Sequence, residues 1–137
     1  MAAVEFFVTP GVGEKMREER HYSQAVRIGN VVEISGQGGW DDDLDFPESL
    51  EDEIVAAFDN VGRVLAAAGA GWPDVVHVNS YHVIGADSTF DAHNEVMVAQ
   101  FNKRLSDRAP IWTETGVTEL GAPKMRVEIR VTAVVGD

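Results

Sequence analysis

In the C-terminal stretch, Val127, Ile129, Val131 and Ala133 alternate with Glu128, Arg130 and Thr132. Successive side chains of an extended strand point to opposite faces, so this segment has one apolar and one polar face. Upstream, two segments carry a helical apolar stripe. Ile54, Phe58, Val61, Leu65 and Ala68 follow at steps of three and four, and Phe90, Met97, Phe101 and Leu105 supply the second stripe. Two helices can cover one face of a sheet but not both. The remaining face must be solvated or buried against another copy of the chain.

The rest of the chain fits around these segments. Val4 to Val8 reads as an edge strand that ends at Thr9-Pro10-Gly11, and residues 22–28 and 31–35 read as a hairpin about Gly29-Asn30. Gly13 to Arg20 is charged at nearly every position and reads as a surface loop or frayed turn. Ser49, with Asp52 three residues on, opens the first helix, and Gly69-Ala70-Gly71-Trp72-Pro73 stops it. Ser88, with Asp91, opens the second, which Arg108-Ala109-Pro110 closes. Strands are expected at residues 75–84, 111–120 and 125–135. The order is β, β-hairpin, α, β, α, β, β. No linker or repeat interrupts it, so residues 1–137 are expected to form a single domain, a mixed α+β sheet with two helices on one face.

Several functions are disfavoured at once. The chain contains no cysteine, which removes thiolate metal sites, disulfides and a cysteine nucleophile. With 11 Lys+Arg against 23 Asp+Glu the net charge is -12, which repels a phosphate backbone; no nucleic-acid partner is expected. The apolar runs are far shorter than the ~20 residues needed to span a bilayer, and no basic segment precedes an apolar one at the N-terminus, so no membrane association and a cytoplasmic location are expected. His77 and His82, five apart on one strand, point to opposite faces and cannot share a metal. Hydrogen-bonded structural roles are expected for these and for His21 and His93, and no metal is expected. Ser35-Gly36-Gln37-Gly38-Gly39-Trp40 lacks the Lys-Ser/Thr of a phosphate loop and reads as a glycine-rich strand end beside a cleft.

Taken in order, Tyr22-Ser23-Gln24-Ala25-Val26, Ile34-Ser35-Gly36-Gln37, Asn60 to Gly69 at the end of the first helix, Asn94 before Phe101, Pro110 and Val127-Glu128-Ile129 resemble the RidA (YjgF) family of reactive-intermediate deaminases. The likeness spans nearly the whole chain. It implies a chorismate-mutase-like fold and a homotrimer with three clefts between adjacent subunits, in which enamines or imines are hydrolysed to a carbonyl compound and ammonia without metal or organic cofactor. Family members have also been labelled endoribonucleases or translation inhibitors, which the charge balance here does not favour. The resemblance carries Tyr22, Ser35, Gly36 and Gln37 over as substrate-binding positions, and Glu128 as the carboxylate that orients the attacking water. The chain departs from the family where it matters for specificity: Trp112 stands where deaminase members have a carboxylate-gripping arginine, and Glu114 where a cysteine is common.

Imine hydrolysis needs a positioned water and a base, and a partly desolvated carboxylate can be that base. Glu128 is the candidate catalytic residue; its alternative is an ordinary solvated glutamate on the polar face. Trp112, Glu114 and Gly116 share one strand face. An indole and a carboxylate in place of a cation favour neutral or cationic ligands, such as an iminium lacking a carboxylate. Trp112 could equally serve as an interface anchor. If Glu114 and Glu128 lie close together, their repulsion makes an acid and a base of the pair; the sequence leaves their separation open. Three functions are therefore in view: a hydrolase of small enamines or imines with altered specificity, a small-molecule-binding trimer without hydrolysis, and an isomerase or tautomerase using the same cleft.

Overall fold

The computed structural model describes residues 3–86, 88–105 and 107–136. Six strands, β1 (Val4–Phe7), β2 (Ala25–Ile28), β3 (Val31–Ile34), β4 (Val75–Val83), β5 (Ile111–Val117) and β6 (Val127–Val134), form one sheet in the order β1-β2-β3-β6-β4-β5. Every neighbouring pair is antiparallel except β4 and β5, which are parallel and joined through helix α3 (Phe90–Arg104). Helix α2 (Leu50–Ala67) packs against α3, β3 and β6. The two expected helices therefore lie on one face of a mixed sheet.

The period-two alternation of β6 sets the layers. Val127, Ile129, Val131 and Ala133 are buried under the helices, where they meet the α2 stripe of Ile54, Phe58, Val61, Leu65 and Ala68. Trp72 stacks on Phe58 at 4.9 Å and donates its indole N–H to the Phe58 carbonyl at 3.0 Å, so a large aromatic is buried with its polar atom satisfied. Ser49 caps α2 by accepting the Asp52 N–H. Beyond Ala67 the chain turns at Gly69 with φ 82°, a conformation that costs an L side chain and suits glycine.

Neither α2 nor α3 covers the opposite face. Phe6, 66% exposed, and Ile111, 67% exposed, lie on it with Val4, Ile28 and Val134, interspersed with Glu33, Glu128, Arg130 and Thr132. Among the described residues no helix is long and apolar enough to cross a membrane.

Two local expectations need correction. Residues 12–20 form a helix, α1 (Val12–Arg20), rather than a loop or frayed turn. Val12 and Met16, one helical turn apart, are buried, which is enough to seat a helix whose remaining face is charged. It ends at His21, whose left-handed backbone (φ 59°, ψ 48°) turns its N–H onto the Arg17 carbonyl. The second correction concerns α3. Its cap is Thr89, which accepts the Ala92 N–H, and not Ser88. The Ser88 hydroxyl is instead buried beneath the helix.

Two buried polar groups fix the segment after β3 and the start of β6. Glu53, wholly buried on α2, accepts the Arg126 backbone N–H and its Nε–H, each at 2.7 Å. Asn60 donates from Nδ2 to the carbonyls of Gly38 at 2.7 Å and Trp40 at 2.9 Å. Both ties originate on α2, so the helix that forms the core also places residues 36–40 and Glu128.

Candidate functional site: two side-chain groups on opposite faces of the sheet

The expected site residues fall into two groups. The first surrounds Glu128. Gln37 forms a two-bond backbone bridge with Ile129 (2.8 and 2.9 Å), which lays the strand end of Ser35-Gly36-Gln37 beside Glu128. The approach is so close that a Cβ on Gly36 would stand 2.6 Å from the Glu128 carboxyl carbon. Gly36 has no positive φ; a side chain here would instead have to displace the Glu128 carboxylate. The Ser35 hydroxyl donates to the Gln24 carbonyl, and Gln37 turns its amide nitrogen back onto Ser35. Buried Gln37 Oε1 has no partner.

Glu128 lines a cavity of about 210 Å³ with Met16, Tyr22, Trp40, Phe46 and Met125. These walls are largely apolar, and burial raises the Glu128 carboxyl above its ordinary value, making the ionised form a stronger base than a solvated glutamate. Tyr22, exposed at the rim, has its phenol raised by burial first and then by the Glu128 charge, against the opposing pull of Arg20. The helix α1 that supplies Met16 and Arg20 was not legible in the sequence, yet it forms one wall of this cavity.

The second group lies on the helix-covered face. Register places Trp112, Glu114 and Gly116 beside Val78, Ser80 and His82, so the three do share a face, but it is the face under α3. Trp112 packs edge-on against Phe101 at 5.1 Å and donates its indole N–H to Ser80 Oγ at 2.8 Å. Glu114 stands at the rim of this layer, its side chain 18% exposed, with Oε2 3.3 Å from His82 Nε2. With its amide nitrogen turned toward β5, Asn94 of α3 donates to both Glu114 oxygens, 3.0 Å to Oε1. Burial raises the Glu114 carboxyl, opposed by the Asn94 hydrogen bond.

Glu114 and Glu128 do not form a pair within one chain. They occupy opposite faces of strands separated by β4, and adjacent strands alone are about 4.8 Å apart. Of the four histidines, His82 and His93 are buried and hydrogen-bonded, as expected for structural histidines, whereas His21 is an exposed helix cap. The contact between His82 and His93 was missed in the sequence because it joins residues on two elements. The one cluster of potential metal ligands among the described residues, Asp41, Asp43 and Asp45, is exposed; Asp41 Oδ1 already accepts the backbone N–H groups of Asp43 and Asp45, which folds the acidic loop.

The mixed sheet with its helical layer is the fold of the RidA (YjgF) family, and the chain belongs to it. The family model described as Endoribonuclease L-PSP matches residues 13–135. The chain is 29% identical to the RutC family protein YjgH of Escherichia coli over 122 residues, 89% of this chain and 90% of that protein. It is 38% identical to a 2-iminobutanoate/2-iminopropanoate deaminase of Dermatophagoides farinae over 117 residues, covering 83% and 85% of the two chains. Among solved structures, YjgH superposes with a TM-score of 0.81 at 29% identity, over 97% of each chain. Rv2704 of Mycobacterium tuberculosis, a member of the YjgF/YER057c/UK114 family, does so with a TM-score of 0.78 at 26% identity, over 97% of this chain and all of that one.

Proposed function

We propose that this protein is a hydrolase of small enamines or imines, releasing a carbonyl compound and ammonia, and that it prefers imines without a carboxylate. The observation that carries this reading is Glu128, a carboxylate in a largely apolar cavity with its proton affinity raised by burial, held against the backbone of Gly36. Such a group takes a proton from a water that attacks the imine carbon. Tyr22, Ser35, Gly36 and Gln37 shape the cleft around it, and no step calls on a metal or organic cofactor. Relatives at 32–38% identity that bear the name of 2-iminobutanoate/2-iminopropanoate deaminase support the reaction class. The substrate preference rests on position 112, where the N–H of an indole is already committed to Ser80 and no guanidinium is present to grip a carboxylate.

The working form in this reading is a homotrimer. The uncovered sheet face exposes Phe6 and Ile111, which a partner copy would bury. Because the Glu128 and Glu114 groups lie on opposite faces, a complete cleft takes the first from one subunit and the second from its neighbour. Sedimentation equilibrium showing only monomer at working concentration would remove this part of the reading.

The test supplies imines in place, from an amine oxidase in one set and an amino-acid oxidase in the other, and follows ammonia release with and without the protein. Acceleration with the carboxylate-free imines, lost in Glu128→Ala, is the expected result. No Glu128-dependent acceleration with either set would overturn it and leave the binding-protein and isomerase readings.

A further inference from the structure

The acidic loop before α2 holds one side chain in a strained conformation. Leu44 has a left-handed backbone, φ 63°. Among the described residues other than glycine only His21 shares it, and His21 ends a helix, where that conformation is common. No helix ends at Leu44, and for a residue with a Cβ the left-handed region is costly. A tight turn alone calls for glycine or asparagine at such a φ. Leucine adds nothing to the hydrogen bonds of the turn, so its side chain must be accounted for elsewhere.

Asp41 enforces the conformation. Its carbonyl accepts the Leu44 N–H at 3.0 Å, and its own N–H donates to the Asp45 carbonyl at 3.0 Å. Its Oδ1 accepts the N–H groups of Asp43 and Asp45, each at 2.9 Å. One residue therefore closes the loop from both its backbone and its side chain. Asp41, Asp43 and Asp45 are exposed, whereas Leu44 among them is half-buried. What Leu44 lines is the Glu128 cavity, where it joins Phe46, Trp40, Met16 and Met125.

The chemistry and size of that wall select a ligand. The charged groups lining the cavity are Glu128, half-buried, and Arg20, exposed. Trp40 and Phe46 stand edge to face with ring centroids 6.4 Å apart, and the thioethers of Met16 and Met125, both buried, adapt to aromatic or aliphatic surfaces. The volume of about 210 Å³ exceeds the roughly 150 Å³ in which an apolar protein cavity holds benzene.

We propose that Leu44 is a specificity-determining residue of the candidate site, held in its left-handed turn by Asp41 so that, with Phe46 and Trp40, it receives an apolar substituent of the substrate up to about the size of a benzene ring. The substrate class is then the imines formed when arylmethyl or branched alkyl primary amines are oxidised. The reaction assigned to these imines rests on the deaminase reading above; the apolar pocket stands on the loop and the cavity alone. Asp41 acts through Leu44 and is a positioning residue.

Binding and turnover are measured separately on the full-length protein. With methyl-labelled methionine, the Met16 and Met125 signals are followed by NMR during titration with acetamide, isobutyramide and benzamide, planar amides that do not react. Benzamide should bind at least about tenfold more tightly than acetamide. Leu44→Gly and Leu44→Asn, which accept the left-handed backbone, should stay folded in a thermal melt and lose most of that preference. In the ammonia assay, Glu128-dependent kcat/KM should rise about fourfold per methylene from the imine of ethylamine to that of butylamine, mainly through KM, and flatten in both Leu44 variants. Asp41→Ala should flatten it too, and Asp41→Asn, whose Oδ1 still accepts two N–H groups, should restore it. A leucine serving only the turn would leave the size profile unchanged. Benzamide bound no more tightly than acetamide, or bound undiminished by the Leu44 variants, overturns the pocket whatever the turnover. Size-dependent binding that needs Leu44 without any Glu128-dependent turnover upholds the pocket and removes the deaminase reading. Glu128-dependent turnover with a flat size profile overturns the pocket and leaves that reading standing.

Discussion

The close approach of Gly36 to Glu128 supplies the candidate site's sharpest test. In Gly36→Ala the new methyl would lie 2.6 Å from the Glu128 carboxyl carbon, 2.7 Å from Cγ and 2.8 Å from Oε2. Carbon atoms rest at about 3.5–4.0 Å, so the carboxylate must retreat by about 1 Å. The backbone at Gly36 is open to alanine, since its φ is not in the left-handed region. Stability therefore carries only the overpacking, about 1–3 kcal/mol, less about 0.4–1 kcal/mol recovered from a stiffer unfolded chain. A misplacement of about 1 Å is enough for roughly a 100-fold loss of rate, or about 2.7 kcal/mol in the barrier. The assay is ammonia release from oxidase-generated imines at fixed enzyme concentration, alongside a thermal melt. In the Glu128→Ala background the same substitution should cost no further activity, because the group it displaces is gone. A folded Gly36→Ala protein with wild-type kcat/KM would refute the placement of the reactive carboxylate against Gly36.

Two further predictions concern stability. Glu53→Gln removes the buried charge that holds Arg126 while leaving the shape of the side chain; a loss of about 3 kcal/mol is expected in urea denaturation, and a change below 1 kcal/mol would show that Arg126 is satisfied by the Glu48 carbonyl and solvent. His82 is lowered in the folded state to about 4 from an ordinary 6.5, so the stability it contributes is present above pH 6.5 and is lost as pH falls toward 4. Glu114 and Glu128, raised in the folded state, act in the opposite sense and stabilise as they gain protons on the same descent. NMR titration of the His82 ring separates the contributions, and a midpoint near 6.5 would refute the burial argument.

Period-two alternation and apolar steps of three and four are signals carried by neighbouring positions, which is why β6, the α2 stripe and the shared face of Trp112, Glu114 and Gly116 could be read directly. Helix α1 could not, because Val12 and Met16 offer one turn of pattern within a run of charges. Shared strand parity showed that Trp112 and Glu114 point the same way, but not that α3 lies over them, since that depends on a parallel β4–β5 pair. The His82–His93 contact lies further still from sequence, because it requires two elements at one place. The family likeness made Glu128 a candidate, while the burial that raises its carboxyl comes from an apolar cavity whose wall includes the unread helix.

The sheet order also has a consequence for how the protein is made. β6, the last strand of the chain, lies between β3 and β4. Until it emerges from the ribosome, the meander β1-β2-β3 and the β4–α3–β5 unit have no strand between them. The first can form locally and the second can close its crossover, but neither can complete the sheet. Insertion of β6 pairs Val31 with Val134 and closes most of the chain in one step, a non-local contact of the kind that slows folding. The residue proposed to activate water is carried by that strand, so this carboxylate arrives with the act that joins the two halves.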